Sequence, residues 1–472
     1  MQTTTLSYQN MMTAPNTVNP NFSWKKAILR LLDVLVVVAV MFLFSQIEGT
    51  SYFKTIISSW GYILVLAFYI LLWGSIFDLY NLYIFRSYTQ VFRRVLLTSI
   101  IVSVMYFLTP LITPVMPKVR SQFFYFFMVI FLPMLLLRWS FLKFMMSNFN
   151  FRKKSILICK SDRLNELLKP LNEINPYLEI IGCYDSNPET RHQVSDDNYI
   201  YKIEDLYSFI EDKKVAEIIV GPNVDMSFMN NHLLKFRQKG TQIKSYTHVV
   251  EEVVQKLPID LYDGDFYQHF PFSQNNHNRF YLLFGRIGDI FFSIIGLIGT
   301  ALLLPFILLG NLIGNKGPLF YRQERVGLNG DHFQIVKFRS MVTDAEKAGA
   351  AFAQKNDPRI TKFGQFLRKT RIDELPQLIN VLKGEMAVIG PRPERQIFVD
   401  QITEVEPLYP IRHTVKPGLT GWAQIKYRYG SSIDDSIEKL KFDLYYIKHR
   451  SLIVDAKIVI KTIGTVLFFK GQ

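Results

Sequence analysis

Four long apolar runs occupy the first third of the chain, at residues 27–47, 58–77, 95–113 and 123–141. Each approaches the ~20 residues that a helix needs to cross the hydrocarbon layer, where backbone polar groups must be bonded within the segment itself. This confines the region to membrane helices: a polar tail over 1–24 and a four-helix transmembrane domain over 25–145. Lys25, Lys26 and Arg30 mark one side of the first run, Arg86, Arg93 and Arg94 lie between the second and third, and Arg152, Lys153 and Lys154 follow the fourth. Cytoplasmic loops carry an excess of Lys and Arg, so these three clusters are expected on the cytoplasmic face. Lys118 and Arg120 weaken the contrast without reversing it. The polar start lacks the basic, apolar and small-residue order of a cleaved signal, so the first run is expected to stay in the protein.

A length of 472 residues leaves room for two or three compact units. The net charge of +14 suits nucleic acid, anionic lipid or phosphorylated substrates. No helix-turn-helix, RNP-like or zinc pattern is present, so a nucleic-acid partner is not expected. Cys159 and Cys183 form no CxxC pair, which argues against a disulfide framework or zinc site and fits a reducing, cytoplasm-facing location.

Over 152–272 short apolar runs at 155–159, 178–183 and 216–220 alternate with charged, helix-like segments, which predicts a small parallel sheet in a Rossmann-like domain. A dinucleotide site wants a glycine-rich turn after the first strand; here the chain reads Lys160-Ser161-Asp162-Arg163, so a regulatory or scaffolding role is favoured over a ligand site. Residues 273–280, SQNNHNRF, read as a linker. A fifth apolar run at 290–313 is interrupted by Pro305. Arg286 precedes it and Lys316, Arg322 and Arg325 follow, so both flanks carry cytoplasmic-type charge. A re-entrant helix over 287–313, bent at Pro305, accounts for both flanks, whereas a kinked spanning helix accounts for one.

The densest polar signal is residues 357–394, DPRITKFGQFLRKTRIDELPQLINVLKGEMAVIGPRPE. Leu375, Leu378, Ile379 and Leu382 fall at helical spacing, and Pro376 fits a first turn, so a helix is expected to start near Asp373. Asp373 and Glu374 would then sit at the positive end of the helix dipole, which favours their ionised forms. Ionised carboxylates suit a nucleophile and a Mg²⁺ ligand; ordinary helix capping is the plainer alternative. Pro391 and Pro393 stiffen a loop presenting Arg392, whose guanidinium suits phosphate oxygens. Arg359, Lys362, Arg368, Lys369 and Arg371 make the approach basic. A basic surface beside an acidic pair matches a phosphoanhydride with a divalent cation, and is compatible with anionic headgroups beneath it. Residues 321–327 and 333–341 flank Leu328-Asn329-Gly330 as a β-hairpin. Trp422 reads equally as an interfacial anchor or a base-stacking platform, and the tail over 440–469 as helices lying on a membrane.

The motifs YRQERVG, KFRSM, DPRITKFGQFLRKTRIDELPQL, GPRPE and KPGLTGWAQ, in this order, resemble the bacterial sugar transferases in their large form, polyprenyl-phosphate hexose-1-phosphate transferases of the monotopic phosphoglycosyl transferase type. The resemblance implies an α/β membrane protein: four transmembrane helices, a Rossmann-like middle domain, and a re-entrant helix leading into a mainly helical α+β catalytic domain over 279–472 with interfacial helices. It implies transfer of a hexose 1-phosphate from a UDP-sugar to undecaprenyl phosphate, releasing UMP, at the start of exopolysaccharide, capsule or O-antigen synthesis. Asp373 would attack the phosphate bearing the sugar. Glu374, with Asp373, would hold Mg²⁺; Arg392 on its Pro391 loop, with Lys337, Arg339, Arg359, Arg368 and Arg371, would contact phosphate and substrate. The partners implied are the UDP-sugar, undecaprenyl phosphate and lipids of the bacterial cytoplasmic membrane, with the catalytic domain facing the cytoplasm; a homodimer stays open. The chain reads Leu304-Pro305 where this family often has Ser-Pro, and Ile425-Lys-Tyr-Arg-Tyr-Gly430 after Gln424, so glucose, galactose and N-acetylated sugars all remain open. A non-catalytic scaffold or a transporter subunit is the alternative from another class. A transporter needs ionisable or broken positions within several spans; here Asp33 and Arg138 lie near span ends, and Pro110 and Pro133 are the internal breakers.

Overall fold

A computed structural model describes residues 22–47, 51–81, 88–117, 119–147, 153–160, 164, 167–168, 171, 178–185, 199–200, 202–222, 224, 226–261, 272–345, 357–427 and 432–467. The polar tail over 1–21, Arg86, Lys118, Arg152, Ser161-Asp162-Arg163 and Arg428-Tyr429-Gly430 lie outside the described residues. Two compact units result, Met1–Val249 and Val250–Gln472.

In the first unit the apolar runs form α1 (Phe22–Ser45), α2 (Ser51–Ile57), α3 (Trp60–Ile76), α4 (Tyr88–Leu108) and α5 (Ser121–Ser147). By length and composition α1, α4 and α5 can each cross a membrane. The second expected span, 58–77, is α3, and a short helix not expected from sequence, α2, precedes it at a bend of 94°. The third begins at Tyr88, ahead of the apolar run, because Arg93 and Arg94 are helical. Arg94 Nη1 donates to the carbonyls of Phe77 and Asp78 at 3.2 and 3.1 Å, capping the orphaned end of α3. The same helix stops at Leu108 because a residue before proline, here Thr109 before Pro110, is pushed out of helical backbone. Apolar side chains such as Leu43, Leu64, Phe68 and Leu136 point outward, as a lipid solvent permits. Inside, Arg138 donates to Asp33 at 2.6 Å, and this fully buried ion pair ties α5 to α1.

The middle sheet has five parallel strands in the order β3-β2-β1-β4-β5: β1 (Lys153–Cys159), β2 (Leu178–Asp185), β3 (Tyr199–Ile200), β4 (Glu217–Val220) and β5 (Gln242–Ser245). Three of these are the apolar runs. They read as continuous hydrophobics because α/β sheets are covered on both faces, and Ile156, Leu157, Ile158, Ile218 and Ile219 are all fully buried. The edge strand β3 is only two residues long and β5 is short and mostly polar, so alternation did not reveal them.

The second unit starts earlier than the linker at 273–280. Residues 250–261, read from sequence as the end of the middle domain, put Leu257 and Ile259 into the second unit's core. The Leu257 N–H donates to the Lys441 carbonyl at 2.9 Å. A single long helix, α6 (Arg279–Gly314), follows, capped by Asn278, whose side chain accepts from the N–H groups of Phe280 and Tyr281. Pro305 lies inside this helix, not between two. The expected hairpin forms as β6 (Phe320–Val326) and β7 (His332–Phe338), with Asn329 and Gly330 at positive φ in the turn. Then come α7 (Lys362–Lys369), a 3₁₀ turn (Ile372–Gln377), α8 (Leu378–Lys383), β8 (Ala387–Ile389), α9 (Gln396–Val405), β9 (Gly418–Thr420), α10 (Trp422–Lys426), α11 (Ile433–His449) and α12 (Leu452–Leu467).

Two expectations for this unit fail. Trp422 is neither anchor nor platform: it is 2% exposed, and its Nε1 donates to the Gln255 carbonyl at 3.0 Å. Of the tail helices, α11 packs inward through Leu440, Phe442, Leu444, Tyr446 and Ile447, and its Lys441 and Lys448 are largely covered and ion-paired with Asp260 and Glu251. On α12, Leu452 and Ile453 are exposed.

Candidate active site

Three segments meet at the acidic pair. The first is the 3₁₀ turn, entered through Arg371 at φ 61°, a left-handed backbone that turns the chain sharply and sets Asp373 and Glu374 side by side. The second is β7, which carries Lys337. The third is the Gly390–Glu394 loop, which carries Arg392. Sequence spacing missed the residue that registers the first two: Asn380, fully buried on α8, accepts from the Val336 N–H at 3.1 Å and donates to the Gln334 carbonyl at 2.7 Å. Its Nδ2 also reaches Glu385 Oε2 at 2.7 Å. Asn380 lies off the predicted apolar face of Leu375, Leu378, Ile379 and Leu382, so helical spacing gave no sign of its burial.

Glycines let the third segment in. β8 pairs in parallel with β9, and the backbones approach so closely that a Cβ on Gly418 would lie 2.1 Å from Gly390 N, and one on Gly421 would lie 2.2 Å from Gly390 O. The Gly418 N–H donates to the Pro391 carbonyl at 2.8 Å. The GPRPE and KPGLTGW motifs are thus two halves of one backbone crossing.

Asp373 and Glu374 are 8% and 9% exposed. Arg392 Nη2 donates to Glu374 Oε1 at 2.5 Å, and Arg371 Nη1 to its two oxygens at 3.3 and 3.4 Å. Asp373 Oδ1 is buried with no hydrogen-bond partner among the described residues. Burial pushes the Asp373 carboxyl up to about 6, reinforced by the neighbouring Glu374 charge and opposed by Lys337, Arg368 and Arg392. Burial pushes Glu374 the same way, but Arg392, Arg371 and Lys337 outweigh it and hold that carboxyl well below the usual range. Burial and Arg392 bring the Lys337 ammonium down to about 8, against the pull of Glu374 and Asp373. The helix dipole expected to favour both ionised forms is not what sets them. The pair stands in a 3₁₀ turn ahead of a six-residue helix; burial raises both carboxyls, and the close guanidinium groups of Arg392 and Arg371 bring Glu374 alone below its usual range.

The structure therefore brings Lys337, Arg368, Arg371, Asp373, Glu374 and Arg392 together, with Pro391 shaping the loop. Arg339 and Arg359 are occupied elsewhere. Arg339 donates to the carbonyls of Pro318, Met341 and Asn315 and to Asn315 Oδ1, locking the end of α6 to the end of β7. Arg359 forms a forked pair with Asp357, its Nη2 2.6 Å from Oδ2.

The chain belongs to the bacterial sugar transferase family. The model of that family matches residues 280–469, and a family described as a CoA-binding domain matches 75–225. A putative undecaprenyl-phosphate N-acetylgalactosaminyl 1-phosphate transferase from Bacillus subtilis is 53% identical over 124 residues, 26% of this chain and 68% of the relative. The UDP-N-acetylgalactosamine-undecaprenyl-phosphate N-acetylgalactosaminephosphotransferase of Aeromonas hydrophila is 51% identical over 153 residues, 32% of this chain. The UDP-glucose:undecaprenyl-phosphate glucose-1-phosphate transferase of Escherichia coli is 41% identical over 193 residues, 40% of each chain. The matched stretch spans 36% of the Aeromonas protein and 40% of the Escherichia coli one, so the chain matches well under half the length of these two relatives.

Proposed function

We propose that this chain transfers a sugar 1-phosphate from a UDP-sugar to undecaprenyl phosphate at the cytoplasmic face of the bacterial inner membrane, as the first step of exopolysaccharide, capsule or O-antigen assembly. The observation that carries this reading is Asp373: a nearly buried carboxyl with an unpartnered Oδ1, beside Lys337 and a Glu374 held by Arg392. An Asp373 carboxyl with a midpoint near 6 is mostly ionised at neutral pH, yet poorly solvated, which leaves its oxygen reactive. Asp373 attacks the phosphorus bearing the sugar; the bond to the bridging oxygen breaks, and UMP leaves with that oxygen. An oxygen of undecaprenyl phosphate then attacks the same phosphorus, and the Asp373 carboxylate departs. Lys337 and Arg392 oppose the negative charge that gathers on phosphoryl oxygens in each displacement.

Mg²⁺ fits this donor set. Among the described residues no group of three or more His, Cys, Asp or Glu is placed to hold a metal. Asp373 and Glu374 supply the one or two carboxylates typical of an ion that arrives on substrate phosphates. When bound, it supplies further neutralisation of the transferred phosphoryl group.

Contacts along α6 support a re-entrant placement. Arg286 Nη1 and Nη2 donate to the Val381 and Leu382 carbonyls at 2.5 and 2.6 Å, Gly296 meets Leu378, Ile307 packs with Phe338 and Leu367, and Gly310 and Gly314 meet Phe363. Both halves of the helix thus rest on one domain, and a domain rich in charge stays on one side of a bilayer. Exposed Phe291, Leu302, Phe306 and Leu312 give the opposite face to lipid.

The test is UMP release from a panel of UDP-sugars with Mg²⁺ and undecaprenyl phosphate, comparing wild type with Asp373→Asn. Release that depends on Asp373, with insertion unchanged, is the expected result. Full turnover by the variant sinks the assignment.

A further inference from the structure

The loop presenting Arg392 is gripped from two sides by guanidinium groups that hold its backbone. Arg412, 6% exposed, donates through Nη2 to the Arg392 carbonyl at 2.8 Å and to Asp443 Oδ2 at 2.8 Å, and through Nη1 to the Tyr409 hydroxyl at 2.5 Å. Arg325, on β6, donates through Nη1 to the Pro393 carbonyl at 3.2 Å and to Glu394 Oε1 at 2.7 Å, and through Nη2 to Gln323 Oε1 at 2.6 Å. The Val326 N–H completes the series by donating to the Glu394 carbonyl at 2.9 Å. Three consecutive carbonyls, at 392, 393 and 394, are therefore held from outside the loop.

We propose that Arg325 and Arg412 are positioning residues that aim the Arg392 side chain at Glu374 and at the phosphoryl group bound beside it. This rests on the transferase reading above. Pro391 and Pro393 fix φ on either side of Arg392, and the bonded carbonyls fix the peptide planes that follow. The Arg392 side chain extends from this fixed backbone, and Glu374 takes one of its nitrogens. Bonds from a cation to a carbonyl are stronger than neutral ones, so the grip is stiff. Its charge is also balanced locally: Asp443 faces Arg412 and Glu394 faces Arg325. Neither clamp therefore competes with Arg392 for Glu374. A buried ion pair such as Arg412–Asp443 is a poor way to gain stability compared with apolar packing, and here it is spent on a carbonyl of the loop.

The experiment is a double-mutant cycle in the full-length protein. Arg325→Gln is made in the wild type and in Arg392→Ala, and kcat/KM for UMP release, the thermal midpoint and hydrogen exchange over residues 388–396 are measured for each. With Arg392 present, Arg325→Gln is expected to lower kcat/KM about 10- to 100-fold, the loss typical of a ~1 Å misplacement. In Arg392→Ala the further loss should stay within about threefold, since residues acting through one another are not additive. The thermal shift should be the same in both backgrounds, and exchange over 388–396 should quicken. Arg412→Lys keeps a charge opposite Asp443 but loses the fork, and should follow the same pattern. Equal losses of kcat/KM in both backgrounds, or unchanged exchange in Arg325→Gln, overturns the clamp. A wild type that releases no UMP from any UDP-sugar fails the transferase reading instead, and the exchange measurement then decides the clamp by itself.

Discussion

A single methyl group at position 418 should disable the site from outside it. Placing a Cβ on Gly418 puts it 2.1 Å from Gly390 N and 2.6 Å from both Gly390 Cα and O, all backbone atoms. Ordinary contact begins at 3.4 Å, so the two strands must part by about 1.3 Å. That opening breaks the bond from the Gly418 N–H to the Pro391 carbonyl and carries the next residue, Arg392, away from Glu374. Overpacking of this kind costs about 1–3 kcal/mol of stability. A displacement of ~1 Å in a positioned group costs roughly 100-fold in turnover, about 2.7 kcal/mol in the barrier. Gly418→Ala is therefore expected to lower kcat/KM for UMP release by about two orders of magnitude. The thermal midpoint should fall by only a few degrees. Gly285→Ala is the control, because nothing lies within 4 Å of its Cβ and alanine suits a helix interior. If Gly418→Ala keeps activity within about twofold of the control, the strand crossing does not set the Arg392 loop and the reasoning fails.

Glu251, 2% exposed, accepts from Lys448 Nζ at 2.7 Å and lies 2.7 Å from His449 Nε2; burial pushes its pKa up, but these partners outweigh it and lower it overall. A depressed carboxyl stabilises the fold above its unfolded value and loses that contribution as pH falls, so Glu251→Gln should destabilise by about 2 kcal/mol at neutral pH. The gap from wild type should close on acidification below the normal carboxylate range, as chemical denaturation at several pH values will show. Asn380→Ala removes the partner of the half-buried Val336 N–H and should cost about 1–3 kcal/mol, with Lys337 misplaced and UMP release reduced more than stability alone explains. Single cysteines at His277 and Lys316, on either side of α6, should both react with a membrane-impermeant thiol reagent from the cytoplasmic side of sealed vesicles; labelling from opposite sides would refute the re-entrant placement.

What the sequence revealed follows from how local each signal is. Spans of about 20 apolar residues announce themselves, and Asn329-Gly330 announces a hairpin, because each needs only its own neighbours. The three central strands were legible for the same reason, whereas Tyr199–Ile200 and Gln242–Ser245 are strands only because a neighbour pairs with them. At the site, Asp373, Glu374, Lys337 and Arg392 lie together. Arg339 and Arg359 do not, since an arginine in a motif looks the same whether it meets a substrate or a ring of carbonyls. The opposite titration of Asp373 and Glu374 was not readable either. Adjacent in the chain and alike in chemistry, they are distinguished by which of them Arg392 reaches. Trp422 misled because a lone tryptophan gives no hint that a carbonyl 167 residues away will accept its N–H.

Residues 250–261 change where this protein can be cut. The family match begins at residue 280, yet Leu257 and Ile259 plug a hollow formed by chain that lies beyond it. A gene trimmed to the matching boundary would leave that hollow open and the indole of Trp422 without its acceptor. The compact unit itself begins at Val250, so a version meant to keep this core whole starts there.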